Sequence, residues 1–139
     1  MMNLTVLDSF KDRYLQNEQG RGVLLAGVVL GMIAMGQASR ESEIKSAPLF
    51  KQIQFGRMDM KSLKRMLSRV PVLVTAYGDG IKASHLVSAL YAEVGRMMLA
   101  GNDDLGVDGN FAFSVGFINA QEIFWRIFKK QVNEVKEEE

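Results

Sequence analysis

The residues best suited to do chemistry in this sequence are cations gathered in its middle third. Between Ile44 and Val70 there are seven basic residues and one acid, Asp59, so the segment carries a charge of +6. The whole chain carries +1, so the remaining residues sum to −5. The seven are Lys45, Lys51, Arg57, Lys61, Lys64, Arg65 and Arg69. An excess of positive charge confined to one segment indicates a surface that binds a polyanion.

The spacing of five of these cations predicts that they share one face of a helix. Arg57, Lys61, Lys64, Arg65 and Arg69, here called the basic face, follow the pattern i, i+4, i+7, i+8, i+12. The opposite side is apolar and holds Met60, Leu63, Leu67, Val70 and Val74. At the helical rise the basic face extends about 18 Å, enough to meet several phosphates of one strand. No aromatic residue is interleaved with it, so we expect backbone contacts without base stacking.

A second group of cations, Arg126, Lys129 and Lys130, lies near the C-terminal end of the last predicted helix. Cations at that end also stabilise the helix dipole, so a purely structural role is the alternative there. The candidate nucleic-acid-binding residues are therefore Lys51, Arg57, Lys61, Lys64, Arg65, Arg69, Arg126, Lys129 and Lys130.

Other interpretations of the basic segment stay open at this point. Its cations could form a solvated face, paired with acids from elsewhere in the fold, or they could bind an acidic protein, which would make the chain an adaptor. A third alternative is a membrane-associated protein with Val23–Gly36 in lipid and the basic helix on anionic headgroups. That apolar run is fourteen residues long, whereas a helix that spans a bilayer needs about 20.

The sequence contains no recognisable catalytic or metal-binding motif. The chain has no cysteine and one histidine, His85. The neighbouring Ser84 cannot pair with it, because adjacent helical residues point about 100° apart. The segment that begins at Asp104 loosely resembles a calcium loop but has Val115 where a bidentate glutamate is required. We therefore expect no enzyme, no cofactor and no metal site.

Hydrophobic periodicity places the helices that must position these residues. We predict Arg40–Ser46 and Asn102–Asn110 as loops and Gly78–Gly80 as a turn. The first predicted helices run over Asn3–Gln16, from after Gly20 to Ser39, and from Pro48 to Gly56. A helix over Asp59–Tyr77 should be kinked or split by Pro71, and another covers Ala83–Met98. The start of the last helix is ambiguous, but its apolar stripe continues from Phe113 to Phe128.

The length and composition predict one all-α domain. The chain has 139 residues, of which 47% are hydrophobic and 24% charged. We expect a single compact bundle of about five to six helices over residues 1–136, followed by the acidic tail Glu137–Glu139. Val23–Gly36 is predicted to be its buried centre, with Gly27 and Gly31 allowing a neighbouring helix to approach closely. The N-terminus lacks a basic segment typical of a secretory signal, so a cytoplasmic protein is expected.

Several short stretches together resemble one family. These stretches are Gly22–Gly27 with Gln37, Pro48–Lys51, Phe55–Arg57, Leu63–Met66, Tyr77 and Phe113–Gly116. Through them the chain resembles, over about Gly20 to Lys130, the C-terminal helical region of the large subunit of type I-B CRISPR Cascade complexes.

The resemblance implies an architectural role. In some such systems this region is also made as a free-standing small subunit, present in several copies that contact each other beside the large subunit and the backbone subunits. Such subunits support the guide RNA–target DNA heteroduplex and the displaced strand, and they catalyse nothing. The family pattern places basic residues at Lys51, Arg57, Lys64 and Arg65, which also belong to the charged segment described above.

Overall fold

A computed structural model of the protein describes residues 2–38, 41–81, 83–99 and 104–128, except for the side chains of residues 41–43. Helices and their connections make up these ranges, which contain no β-strand, and this confirms the predicted all-α fold. The α-helices are α1 (Glu18–Gln37), α2 (Pro48–Gln52), α3 (Met60–Ser68), α4 (Val70–Tyr77), α5 (Ser84–Met98), α6 (Gly106–Ile118) and α7 (Ala120–Ile127). Short 3-10 helices cover Leu4–Ser9, Arg13–Gln16 and Glu41–Ser46.

Helix α1 is the centre of the bundle. Every residue from Gly22 to Ala34 is buried, and α2, α4, α5, α6 and α7 all pack against this helix. By length and composition α1 would also qualify as a membrane span. In the structure the other helices surround it, so the prediction that Val23–Gly36 is a core helix is confirmed.

Small residues allow α1 and α6 to touch through their backbones. A Cβ atom added to Gly27 would lie 2.3 Å from the carbonyl oxygen of Phe113, and one added to Gly31 would lie 2.7 Å from that of Phe117. From the other side, a Cβ on Gly116 would lie 2.1 Å from the carbonyl oxygen of Leu24. These distances confirm the close approach predicted at Gly27 and Gly31.

A cluster of phenylalanines joins the α2 region to this core. Phe50 of α2 and Phe55, which follows it, have ring centroids 5.4 Å apart. Both rings also contact Phe117 of α6, at 6.0 and 5.2 Å, and Phe55 contacts Phe113 at 6.2 Å. Offset and edge-on aromatic contacts of this kind stabilise a core beyond the area they bury. The cluster therefore fixes the segment that leads into α3.

The N-terminal helix was predicted wrongly. The single helix expected over Asn3–Gln16 is instead two 3-10 helices, separated at Phe10 to Asp12. The Asp12 carboxylate accepts a hydrogen bond from the Tyr14 amide at 2.9 Å, which starts a new turn there. Asn17 then accepts one from the Gly20 amide at 2.6 Å and caps α1, so that helix begins before Gly20 and not after it.

Two further boundaries differ from the prediction. Residues 106–110 belong to α6 and not to a loop, and part of the segment expected as loop at Arg40–Ser46 is a 3-10 helix. The last helix is divided into α6 and α7 at Asn119, whose side-chain amide donates to the Val115 carbonyl at 2.9 Å. That hydrogen bond uses a carbonyl at the end of α6, and Asn is well suited to such an end because its short side chain bonds locally.

Candidate nucleic-acid interface

Helix α3 carries most of the predicted basic face. Its N-cap is Asp59, as predicted, whose carboxylate accepts a hydrogen bond from the Ser62 amide at 2.7 Å. Leu63, Met66 and Leu67 are buried, and this anchors one side of the helix on the bundle. Lys61, Lys64 and Arg65 are exposed on the other side. The amphipathic arrangement expected for this segment is therefore confirmed.

The basic face is not one continuous helical stripe. As predicted for Pro71, the helix over Asp59–Tyr77 is split, and the division lies at Arg69. Pro71 lies in the first turn of α4 and cannot donate the hydrogen bond that would continue α3. Arg57 lies before α3, where Gly56, with a φ of +83°, turns the chain after α2. The helical placement of Arg57 was wrong, and its position beside α3 depends on that turn.

All seven cations between Lys45 and Arg69 are exposed. Within the described residues, no carboxylate lies within ion-pair distance of any of them. Two other arginines differ in this respect, since Arg21 pairs with Asp8 at 2.9 Å and Arg96 pairs with Glu18 at 2.7 Å and also with Glu93. The hydrogen bonds that Arg96 donates to Glu93 and Glu18 raise its pKa further above the ordinary value.

Three arginines of the basic face converge on a cleft of about 240 Å³, here called the arginine cleft. Its polar lining consists of Gln52, Gln54, Arg57, Ser62, Arg65 and Arg69. Met58 and Met66 complete it, and no carboxylate is among the lining residues. The sequence did not predict this cleft, because its walls come from α2, the turn after it, and α3.

One hydrogen bond holds a cleft arginine in place before any ligand arrives. The guanidinium of Arg69 donates from Nη1 to Oε1 of Gln52 at 2.6 Å, which ties the end of α3 to α2. Helix α2 is itself held to α1, because the amide of Leu49 donates to Oε1 of Gln37 at 2.9 Å. An arginine has five N–H donors, so Arg69 keeps others for an anion.

A buried asparagine fixes the chain between Arg57 and Asp59. Oδ1 of Asn110, on α6, accepts from the Met58 amide at 2.8 Å, and its Nδ2 donates to the Met58 carbonyl at 2.9 Å. Nδ2 also donates to the Gly106 carbonyl at 2.8 Å. Buried backbone groups need such partners, so Asn110 stabilises this turn against the core. This role was not predicted, because Asn110 was assigned to a loop.

Asp59 is the acid of the basic segment and it remains ionised at neutral pH. Hydrogen bonds from the backbone and the side chain of Ser62 lower the pKa of its carboxyl, and the charges of Lys61 and Arg65 lower it further. Its negative charge is therefore a permanent feature of an otherwise positive surface.

The remaining candidate residues lie outside the arginine cleft. Lys61 and Lys64 are exposed on α3, and Lys51 is exposed on α2. Arg126 is exposed in the last turn of α7, while Lys129 and Lys130 lie outside the described residues. His85 is exposed on α5, and the described part of the chain holds no group of residues that could bind a metal ion.

Comparison with known proteins identifies the family. The family model described as the CRISPR-associated protein TM1802 (cas_TM1802) C-terminal domain matches residues 3–131. The chain therefore belongs to this CRISPR-associated family, which confirms the resemblance to the C-terminal region of a CRISPR large subunit. No curated protein and no solved structure matches the chain.

Proposed function

We propose that this member of a CRISPR-associated family is a non-catalytic small subunit of a Cascade interference complex. In this role it supports the guide RNA–target DNA heteroduplex and the displaced strand through contacts with their backbones. Its site of action would be cytoplasmic, and it would need no cofactor. Family membership supports the CRISPR-related part of the proposal, and the charge distribution supports the nucleic-acid part.

The observation that carries the nucleic-acid contact is a set of exposed cations that form no ion pair within the described residues. Like charges three and four residues apart on a helix reduce its stability by a few tenths of a kcal/mol per pair. Within the part of the chain that the structure describes, no acid forms an ion pair that offsets this cost. A polyanion would supply the missing charge, and the release of counterions from its backbone would favour binding.

The lining of the arginine cleft supports recognition without sequence readout. It contains guanidinium, amide, hydroxyl and thioether groups but no aromatic ring on which a base could stack. Such donors suit phosphate oxygens, which fix a protein on a strand without reporting its sequence. In a guide-dependent complex the base pairing carries the sequence, so the protein needs only this kind of contact.

Exposed apolar residues on α6 support contacts with other protein subunits. Val107, Phe111 and Ile118 are 86%, 62% and 75% exposed, and their spacing of four and seven residues places them on one face. Exposed apolar patches mark protein interaction sites. We propose that this face meets the large subunit, the backbone subunits or further copies of this chain.

The salt dependence of nucleic-acid binding tests the proposed function. We expect the full chain to bind single-stranded DNA and an RNA–DNA heteroduplex with an affinity that falls steeply as salt rises, measured by fluorescence anisotropy. The combined variant K61A, K64A, R65A and R69A removes four charges, so the slope of log K against log salt should flatten by about three units. Its helical circular dichroism should match that of the parent, because these side chains are exposed.

The matched control removes cations elsewhere on the surface. Lys11→Ala with Arg13→Ala changes two exposed residues near the N-terminus and should leave the slope unaltered. If the four-residue variant binds DNA as the parent does, the basic face is not the contact surface. A capture of Cascade subunits that survives nuclease, without DNA binding at low salt, would establish the adaptor alternative.

A further inference from the structure

We infer that the arginine cleft is a discrete phosphate-binding site, which seats one backbone phosphate, while the lysines of α3 contribute only diffuse charge. The identity of this ligand as a nucleic-acid phosphate rests on the proposed function. The basic face thus contains two kinds of cation. Arg57, Arg65 and Arg69 make the directional hydrogen bonds to the phosphate.

The first argument is the chemistry of the cleft lining. Three arginines, two glutamines and one serine are among the residues that line a space of about 240 Å³, which has room for a tetrahedral oxyanion and a few water molecules. A guanidinium presents paired N–H groups in a fixed plane and binds two phosphate oxygens at once. With no carboxylate in the lining, no acidic side chain competes with an anion inside the cleft.

The second argument is that the cleft is partly organised without a ligand. Arg69 is held by its hydrogen bond to Gln52, and the turn that carries Arg57 is fixed by the double hydrogen bond between Asn110 and Met58. Ordering of side chains is one of the main costs of binding, so groups already in place bind a phosphate more tightly.

The neighbouring lysines of α3 lie in a different environment, outside the cleft. Lys61 and Lys64 are exposed and do not line the cleft. A lysine ammonium is a strongly hydrated point charge on a flexible stem, and its effect on a nearby strand is mainly electrostatic.

Charge-conserving substitutions separate the two kinds of cation. Arg65→Lys with Arg69→Lys keeps every charge and removes the planar guanidinium groups. We expect this pair to weaken binding of single-stranded DNA about tenfold at every salt concentration, with an unchanged salt slope. A control pair outside the basic face, Lys11→Arg with Arg13→Lys, also keeps every charge at exposed positions and should bind as the parent does.

A small anion tests the cleft independently of nucleic acid. Inorganic pyrophosphate added to the isotope-labelled full chain should shift the magnetic resonance signals of the Ser62 backbone amide and of the Gln52 and Gln54 side-chain amides. These shifts should be lost in the variant with Arg65→Lys and Arg69→Lys and kept in the control pair.

The outcomes distinguish this inference from the proposed function. If the parent binds DNA and the two variant pairs behave alike, the cleft is not a phosphate site, although the proposed function stands. If the parent does not bind DNA but pyrophosphate shifts the cleft signals, the proposed function fails and the anion site stands. Absence of both responses overturns both.

Discussion

At the scale of single residues, the cations of this protein differ in what neutralises them. Arg96 is held between Glu18 and Glu93, and Arg21 is paired with Asp8. Exposed ion pairs of this kind contribute little to stability, but they remove a charge from what an approaching polyanion meets. The basic face lacks such pairs within the described residues, so its charges remain available to a partner.

We expect Asp59 to lower the affinity of the basic face for DNA, so replacing Asp59 should raise that affinity. Asn caps a helix as well as Asp does, so Asp59→Asn should keep α3 intact while removing the one negative charge beside Lys61 and Arg65. We expect DNA to bind about two- to threefold more tightly at low salt, and the difference to vanish at high salt because it is electrostatic. Anisotropy titrations at two salt concentrations measure it.

The same substitution should change the acid sensitivity of the fold. Because the pKa of Asp59 is lowered in the folded protein, its carboxylate stabilises the folded state above the ordinary pKa of 3.8. That contribution is lost as the pH falls through the lowered pKa. The melting temperature of the Asp59→Asn variant, measured from pH 7 to pH 3, should therefore not show this loss of stability. The control Asp79→Asn, in the exposed turn after α4, should leave the affinity for DNA unchanged. An equal gain in affinity there would contradict a local effect of Asp59.

The sequence predicted single residues well where local chemistry decides their role. Asp59 as a cap and the cations as an exposed set follow from spacing and polarity alone. The arginine cleft could not be predicted, because its key pairs are distant in sequence. Gln52 and Arg69 are 17 residues apart, and Met58 and Asn110 are 52 apart, and only the packing of α2 and α6 brings them together.

At the scale of elements, α1 and α6 form the contact on which the bundle depends. Their backbones touch where Gly27, Gly31 and Gly116 lack side chains. The glycines of α1 were identified from their spacing in an apolar run, but Gly116 was not, because its partner helix was unknown. The elements that were predicted wrongly are those whose ends depend on side-chain hydrogen bonds, such as the one from the Tyr14 amide to Asp12.

Adding one methyl group at this contact should destabilise the fold. In Gly116→Ala the new Cβ would lie 2.1 Å from a backbone oxygen of α1, which can move only if the two helices separate. We expect the free energy of unfolding to fall by about 2 kcal/mol or more, measured in urea. The control Gly95→Ala lies on α5 with nothing within 4 Å and should raise it by about 0.5–1 kcal/mol. Equal effects at both positions would mean that α1 and α6 are not in backbone contact.

At the scale of the whole molecule, the fold separates a core from a charged surface. Buried α1 holds the other helices, and the phenylalanine cluster ties the α2 region to α6. The basic face is thereby presented on a rigid support, although the net charge of the chain is only +1. The all-α class and the CRISPR association were both predicted from sequence and are confirmed, whereas the arrangement of helices around α1 required the structure.

The central claim is that the basic face touches nucleic acid in an assembled interference complex. Ser68 is exposed on α3 and lies on the same side as Lys61 and Lys64, so a photo-reactive p-benzoylphenylalanine in its place keeps every cation. Irradiation of the complex loaded with target DNA should cross-link this chain to nucleic acid, and the same probe in place of the exposed Ser88 of α5 should not do so. Cross-links from position 68 to protein alone would contradict the account.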